Sequence, residues 1–217
     1  NISISEDGGL DSIAVVLGAI PTTDVVIDIT ADLGGEALMS VGSVTFTSVN
    51  GMDTQYVVFT GVPNADLTDT TITVSFGING TSDADFTSLG SQSGTVTVTN
   101  NDVASYAIGG NITISEDGGL DSIAVVLGAI PTTDVVIDIT ADLGGEALMN
   151  VGSMTFTSMN GMDTQYVVFT GVANADLTDT TIAVNFGING SSDGDFTSLT
   201  DQSGTVTVTN NDVPSFA

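Results

Sequence analysis

Thr70-Thr71-Ile72-Thr73-Val74-Ser75-Phe76 and, further on, Gly94-Thr95-Val96-Thr97-Val98-Thr99 alternate apolar side chains with hydroxyl-bearing ones. A period of two puts the apolar groups on one face and the hydroxyls on the other. That is the pattern of a half-buried antiparallel strand. Similar runs, bounded by turn residues, occur at 1–5, 12–18, 24–30, 42–48 and 54–61, so seven strands are predicted in the first half of the chain. Val25, Ile27 and Ile29 are expected to point inward with Asp28 outward, and Phe46, Val57 and Phe59 to complete the core. Ala19-Ile20-Pro21-Thr22-Thr23, Asn50-Gly51 and Asn79-Gly80 carry turn chemistry between the strands. No segment has a helical period.

The whole pattern then recurs. NISISEDGGLDSIAVVLGAIPTTDVVIDITADLGGEALM at residue 1 returns as NITISEDGGLDSIAVVLGAIPTTDVVIDITADLGGEALM at residue 111, an offset of 110 residues. Residues 1–107 and 111–217 differ at 13 positions, among them Ser3/Thr113, Val44/Met154 and Tyr106/Phe216, while Ala107 matches Ala217. A period of this length suits an independently folding module better than a solenoid repeat. The expected architecture is all-β: two tandem seven-stranded Greek-key β-sandwiches of immunoglobulin-like size. The predicted boundaries are 1–103 for the first, a short linker at 104–110, and 111–217 for the second. Two sandwiches joined by so short a linker predict an elongated rod. A chain that starts at Asn1 and carries near-identical copies reads as a piece of a longer array.

Composition narrows the chemistry. The 217 residues include 27 Asp and Glu and no Lys, Arg, His, Cys or Trp, a formal charge of −27. At 41 % hydrophobic content the chain has enough apolar side chains for a core. No carboxylate can pair with a cationic side chain. Two carboxylates about 6 Å apart repel by roughly 0.7 kcal/mol even in water, so the fold must tolerate its charge by spacing, screening or bound cations. The missing residue types exclude a Ser-His triad, a thiolate nucleophile, a Schiff base and His-ligated zinc. Nothing is available to neutralise phosphates, so nucleic acid is not an expected partner. No apolar run is long enough for a membrane helix, so insertion is not expected. With 6 % aromatics and no Trp there is no sugar platform for a carboxylate-pair glycosidase. The chain is not expected to be an enzyme.

The order Ser-Glu-Asp-Gly-Gly, Ala-Val-Val-Leu-Gly-Ala-Ile-Pro-Thr-Thr-Asp-Val-Val-Ile, Val-Thr-Phe-Thr-Ser-Val-Asn-Gly, Gln-Tyr-Val-Val-Phe-Thr-Gly-Val and Thr-Val-Thr-Val-Thr-Asn-Asn-Asp resembles the Calx-beta-like tandem repeats of large bacterial surface proteins. It spans nearly all of each module. The resemblance implies a seven-stranded sandwich binding Ca2+ at one end, with acidic ligands from the end of the first strand, two loops and the tail. The matching positions are Glu6, Asp32 or Glu36, Asp66, Asp69 and Asp102, and in the second module Glu116, Asp142 or Glu146, Asp176, Asp179 and Asp212. Asn101 adds an amide oxygen of the kind calcium accepts. The tail Asn100-Asn101-Asp102 departs from the family's run of Asp.

A second acidic cluster, Asp83 and Asp85 with Asp193 and Asp195 in the copy, lacks the glycine and terminal Glu of an EF-hand. Its acids are expected to face water while Phe86 plugs the core. The Thr rows on the last strands are ordinary β-surface chemistry. Asn79-Gly80-Thr81, Asn189-Gly190-Ser191, Asn1-Ile2-Ser3 and Asn111-Ile112-Thr113 fit the N-glycosylation pattern. The expected function is structural: a secreted, calcium-stabilised segment of a cell-surface filament, stalk or adhesin. Its partners would be neighbouring repeats and, through edge strands or an exchanged first strand, other copies in a fibre. The alternative is an adhesive module that recognises a glycan or another surface partner.

Overall fold

The structure is a computed structural model and describes residues 1–215. The second-copy members of the pairs Tyr106/Phe216 and Ala107/Ala217 lie outside the described residues. Among the described residues there are only strands. They are β1 (Ile2–Ser5), β2 (Leu10–Val15), β3 (Val25–Ala31), β4 (Ala37–Met39), β5 (Ser43–Phe46), β6 (Gln55–Gly61), β7 (Thr70–Ile78) and β8 (Gln92–Thr99), then β9 (Tyr106–Ile108), β10 (Ile112–Ser115), β11 (Leu120–Leu127), β12 (Val135–Ala141), β13 (Ala147–Met149), β14 (Ser153–Phe156), β15 (Gln165–Gly171), β16 (Thr180–Ile188) and β17 (Gln202–Thr209). The fold is all-β, as the alternation predicts.

The chain divides into two compact units, residues 1–64 with 68–101, and residues 65–67 with 102–217. In the first, a five-stranded sheet β1-β8-β7-β3-β5 faces a three-stranded sheet β2-β6-β4. In the second, β10-β17-β16-β12-β14 faces β13-β15-β11-β9. The residues expected to point inward do so: Val25, Phe46, Val57 and Phe59 are completely buried, and Ile27 and Ile29 nearly so. They pack against Ile72, Val74, Val96 and Val98 from the alternating strands that set the fold. Burying each such side chain is worth about 1.5–3 kcal/mol.

The strand count differs from the seven predicted. Ala37–Met39 adds β4, which pairs with the end of β6 from Ala37↔Gly61 to Met39↔Phe59. Tyr106–Ile108, expected in a linker, is a strand of the second unit and pairs with β11 from Leu127↔Tyr106 to Val125↔Ile108. Gly109 continues it by donating its N–H to Ala124 O at 2.7 Å. β1 and β8 run parallel, Ile2↔Val96 to Ser5↔Thr99, and so do β10 and β17, Ile112↔Val206 to Ser115↔Thr209.

Candidate functional site

Three strand directions gather the acidic loops. β3 and β8 are both antiparallel to β7, and β1 is parallel to β8. Hence β1, β3 and β8 all end on one side of the sheet. Backbone bonds bring the end of β6 to the same place, Gly61 N–H to Gly9 O at 3.0 Å and Val62 N–H to Glu36 O at 2.9 Å. The turn after β1 is held against it very closely: a Cβ at Gly61 would lie 2.0 Å from Ser5 O, so this position must be glycine. Gly8 completes the turn at φ +78, a conformation that costs glycine little. The second unit repeats the arrangement, with Gly171 against Ser115 O.

This turn drives Glu6 and Glu116 inward, each to 2 % exposure. Neither faces an opposite charge. Glu116 Oε1 accepts the Asn211 N–H at 3.0 Å and its Oε2 the Asn210 side-chain amide at 3.3 Å. Asp179 Oδ1 accepts the Asn210 N–H at 2.8 Å, and Asp117 Oδ2 the Asn211 amide at 2.5 Å. Asn210 Nδ2 also reaches Asp176 O at 2.5 Å, and its Oδ1 accepts the Asp212 N–H at 2.9 Å. In the first unit Glu6 Oε1 holds the Asn101 N–H at 2.9 Å, Asp69 the Asn100 N–H at 2.8 Å, and Asp7 the Asn101 amide at 2.6 Å. Asp66 and Asp102 fall in the second compact unit.

The expected ligand set is therefore brought together in part. Glu116, Asp176, Asp179 and the 210–212 tail share one network, to which the structure adds Asp117. Asp32 and Asp142 stay exposed in their own loop, where Asp32 Oδ1 accepts the Gly34 N–H at 3.3 Å. Glu36 and Glu146 turn to the amides of Asn64 and Asn174 at 2.9 and 2.8 Å. Among the described residues no three or more acidic side chains are placed to hold a metal ion. Calcium wants six to eight oxygens. Here oxygens of Glu6, Asp69, Glu116 and Asp179 accept N–H groups, while Asp102 Oδ2 is buried with no hydrogen bond.

The other acidic cluster departs from its expectation at one acid of each pair, while Asp85 and Asp195 are exposed as expected. Asp83 and Asp193 do not face water; they are 4 % and 2 % exposed. Asp83 Oδ2 accepts the Thr22 N–H and hydroxyl, both at 2.8 Å, and the Thr23 N–H at 2.9 Å, while its Oδ1 accepts the Asp85 N–H at 3.0 Å. The Thr23 N–H, then the Asp85 N–H and the Thr22 hydroxyl, hold this carboxyl well below the usual carboxylate range against a smaller upward push from burial. At Asp193 burial pushes up most, but the Thr133 N–H, the Thr132 hydroxyl and the Asp195 N–H together bring the value down. These aspartates staple the turn between the second and third strands to the loop before the last. The signal available in the sequence was Thr-Thr in one turn and a repeated Asp in another.

In the second unit Tyr106 is a further buried polar side chain. Its hydroxyl donates toward Phe186 O at 2.8 Å and Thr200 O at 3.1 Å and accepts the Gln202 N–H at 2.9 Å. The Gln202 side-chain amide reaches Tyr106 O. Burial raises the phenol pKa, the Gln202 N–H opposes this, and the Asp201 carboxylate adds to it.

No protein-family model and no curated protein matches the sequence. Among solved structures the chain is similar to CBD12 from CALX1.2, at 13 % identity over 88 % of this chain and 79 % of that one, TM-score 0.38. It is similar to domains 4 and 5 of the S-layer protein SbsC at 16 % identity, 89 % and 74 % coverage, TM-score 0.37. It is also similar to the class 5 fimbriae chaperone CfaA at 10 % identity, 95 % coverage of both chains, TM-score 0.36. Identities this low transfer no function.

Proposed function

We propose that this chain is a structural, non-enzymatic segment of an extracellular repeat protein, spacing other parts of a bacterial surface filament, stalk or adhesin. The observation that carries the reading is repetition without specialisation. Thirteen differences in 107 aligned residues leave the buried glutamate, the aspartate staple and the acidic tail the same in both units. A recognition tip gains from being unlike its neighbours, whereas a spacer gains from copies. The polar groups that converge are used up in holding loops to strands. The absence of Lys and Arg also leaves no bond for a trypsin-like protease, a useful property outside the cell.

Calcium enters this reading through the sequence resemblance. It would require the Asn210 and Asn211 amides to leave the glutamate and aspartates and present their oxygens instead. The adhesive alternative has no Lys, Arg or His and only 6 % aromatics to draw on.

The test is immunogold electron microscopy of cells that make the protein, beside a glycan array of the purified chain. Regular labelling along surface structures with no glycan bound is the expected result. Label confined to the cell interior, or specific submillimolar glycan binding, would overturn the spacer reading.

A further inference from the structure

The two sheets of each unit differ in what they show to solvent. On the larger sheet the outward positions of β7 and β8 carry hydroxyls, with Thr71 opposite Thr97 and Thr73 opposite Thr95. That is the ordinary polar-out pattern of a half-buried sheet. The smaller sheet departs from it. Leu10 of β2 and Leu38 of β4 both stand opposite Thr60 of β6, one on each side, and Tyr56 of β6 stands opposite Ala14. Tyr56 and Thr60 alternate with the buried Val57 and Phe59, so this row lies on the outer face. The second unit repeats it, with Leu120 and Leu148 opposite Thr170 and Tyr166 opposite Ala124. Leu10 and Leu120 are both 68 % exposed, Leu38 and Leu148 both 63 %, and Tyr56 and Tyr166 59 % and 54 %.

This face owes nothing to the strand that borders it. In the second unit β9 lies along β11 and only widens the surface, with Ala107 opposite Val126. The leucines there are as open as in the first unit, which has no such strand. Nor does the face carry charge. The strands that build it hold one acidic residue in each unit, Asp11 or Asp121, next to the outward leucine. Alternation puts that aspartate on the opposite side of the sheet. Contiguous apolar area of this kind on a solvated surface marks a contact more often than scattered leucines do.

We propose that the outer face of the smaller sheet is a contact between copies of this chain, packed sheet against sheet. Charge names the occupant. With 27 carboxylates and no cationic side chain, two copies that meet through acidic surface bring like charges together with nothing to offset them. A basic partner is drawn to those same carboxylates and not to this face. The uncharged face finds its match in the identical face of another copy, and such a contact is isologous, closing on itself about a twofold axis. Area points the same way. Strand spacing and rise make each face about 14 by 20 Å. One pair of faces therefore buries about 600 Å² and two pairs about 1,200 Å², the lower bound of a specific interface. A single face is too small to hold two copies together, and the repeat supplies two in each chain. The inference goes beyond the spacer reading and rests on the surface chemistry of the sheets.

The test is sedimentation velocity of the full chain over a concentration series. It is run in about 0.5 M sodium chloride, where the screening length is about 4–5 Å, and in sodium sulfate of the same ionic strength. The expected result is reversible association that is stronger in sulfate, which favours apolar burial. Leu38→Asp combined with Leu148→Asp should weaken it at least about tenfold, as for residues at the centre of a contact. Thr71→Asp combined with Thr181→Asp adds the same charge to the larger sheet and should leave it within about twofold, since salt screens the added charge. Thermal melts check that both variants are folded. Hydroxyl-radical footprinting of the unmutated chain needs no variant. Leu10, Leu38, Tyr56 and their twins should become protected as concentration rises, while the exposed Val49 and Met159 react as before. A chain that stays monomeric in both salts up to about 1 mM overturns the second copy as occupant, including the case where the face takes a glycan instead. Protection that falls elsewhere, or equal loss of association in the two variants, overturns the face. None of these outcomes bears on surface labelling, so this proposal and the spacer reading fail separately.

Discussion

The Oδ2 atom of Asp83 accepts the N–H of Thr22 at 2.8 Å across 61 residues of chain. With the Thr22 hydroxyl and the Thr23 N–H on the same oxygen, one buried carboxylate closes a turn that the strands on either side leave open. Hydrogen bonds to a charged acceptor are about twice as strong as neutral ones, so the turn depends on the ionised form.

Acid should therefore loosen this turn. The folded-state pKa of Asp83 lies below its unfolded value. Its contribution is complete above the ordinary aspartate pKa of about 3.9 and is lost as pH falls from there toward the depressed folded value. Asp83→Asn is expected to melt several degrees below the parent at pH 7, with the gap narrowing steadily as pH falls below about 4. A gap that stays constant across that range in thermal melts would show that charge has no part in the staple.

Glu116 offers a separate test, because it is buried with only N–H partners. Glu116→Ala leaves the Asn211 N–H without its acceptor, removes one acceptor of the Asn210 amide and opens a void. The expected loss is about 2–3 kcal/mol in urea unfolding, from the cost of orphaned buried donors. Glu116→Gln keeps one oxygen acceptor and should lose about half as much. Equal losses for the two would mean that shape alone matters.

Glycine positions separate contact from flexibility. Gly61→Ala places a methyl 2.0 Å from the Ser5 carbonyl and should cost 2 kcal/mol or more, about the scale of overpacking. Gly42→Ala meets nothing within 4 Å and has no positive φ, so its effect should stay within about 0.5 kcal/mol. Chemical denaturation of the two variants side by side gives the comparison.

The charge of −27 predicts a salt response. Sodium chloride should raise the melting midpoint by screening carboxylates that lack side-chain cations. At matched ionic strength calcium and magnesium should then give the same midpoint, because the carboxylates at the unit ends already accept N–H groups. A rise with calcium alone, reversed by chelator, would show that the tail rearranges into a cage.

Alternation carried most of the fold. β7 and β8 and the inward set Val25, Ile27 and Ile29 follow directly from period two, since a strand buried on one face has no other way to arrange them. β4 was not legible, because Ala37-Leu38-Met39 has no β-forming character of its own and is a strand only by pairing with β6. Tyr106–Ile108 was hidden by its length and by the Gly109-Gly110 that follows; its partner β11 makes it a strand. At the site, the glutamate after the first strand, the loop before β7 and the tail were grouped only through the family resemblance; in the structure it is strand direction that brings those ends to one side. The burial of Asp83 was not, because Asp in a turn reads as a solvated residue until the opposing Thr-Thr turn is seen beside it.

The parallel pairing of β1 with β8 has a mechanical side. β1 lies beside β8, and β10 beside β17, each pair running the same way with the two strands far apart in the chain. Tension applied through the start of β1 and the end of β8 pulls the strands lengthwise past each other. The bonds from Ile2↔Val96 to Ser5↔Thr99 then bear the load simultaneously, in shear, instead of parting one at a time like a zipper. A chain pulled in that way would resist through two short strands, and the β10–β17 pair repeats the geometry.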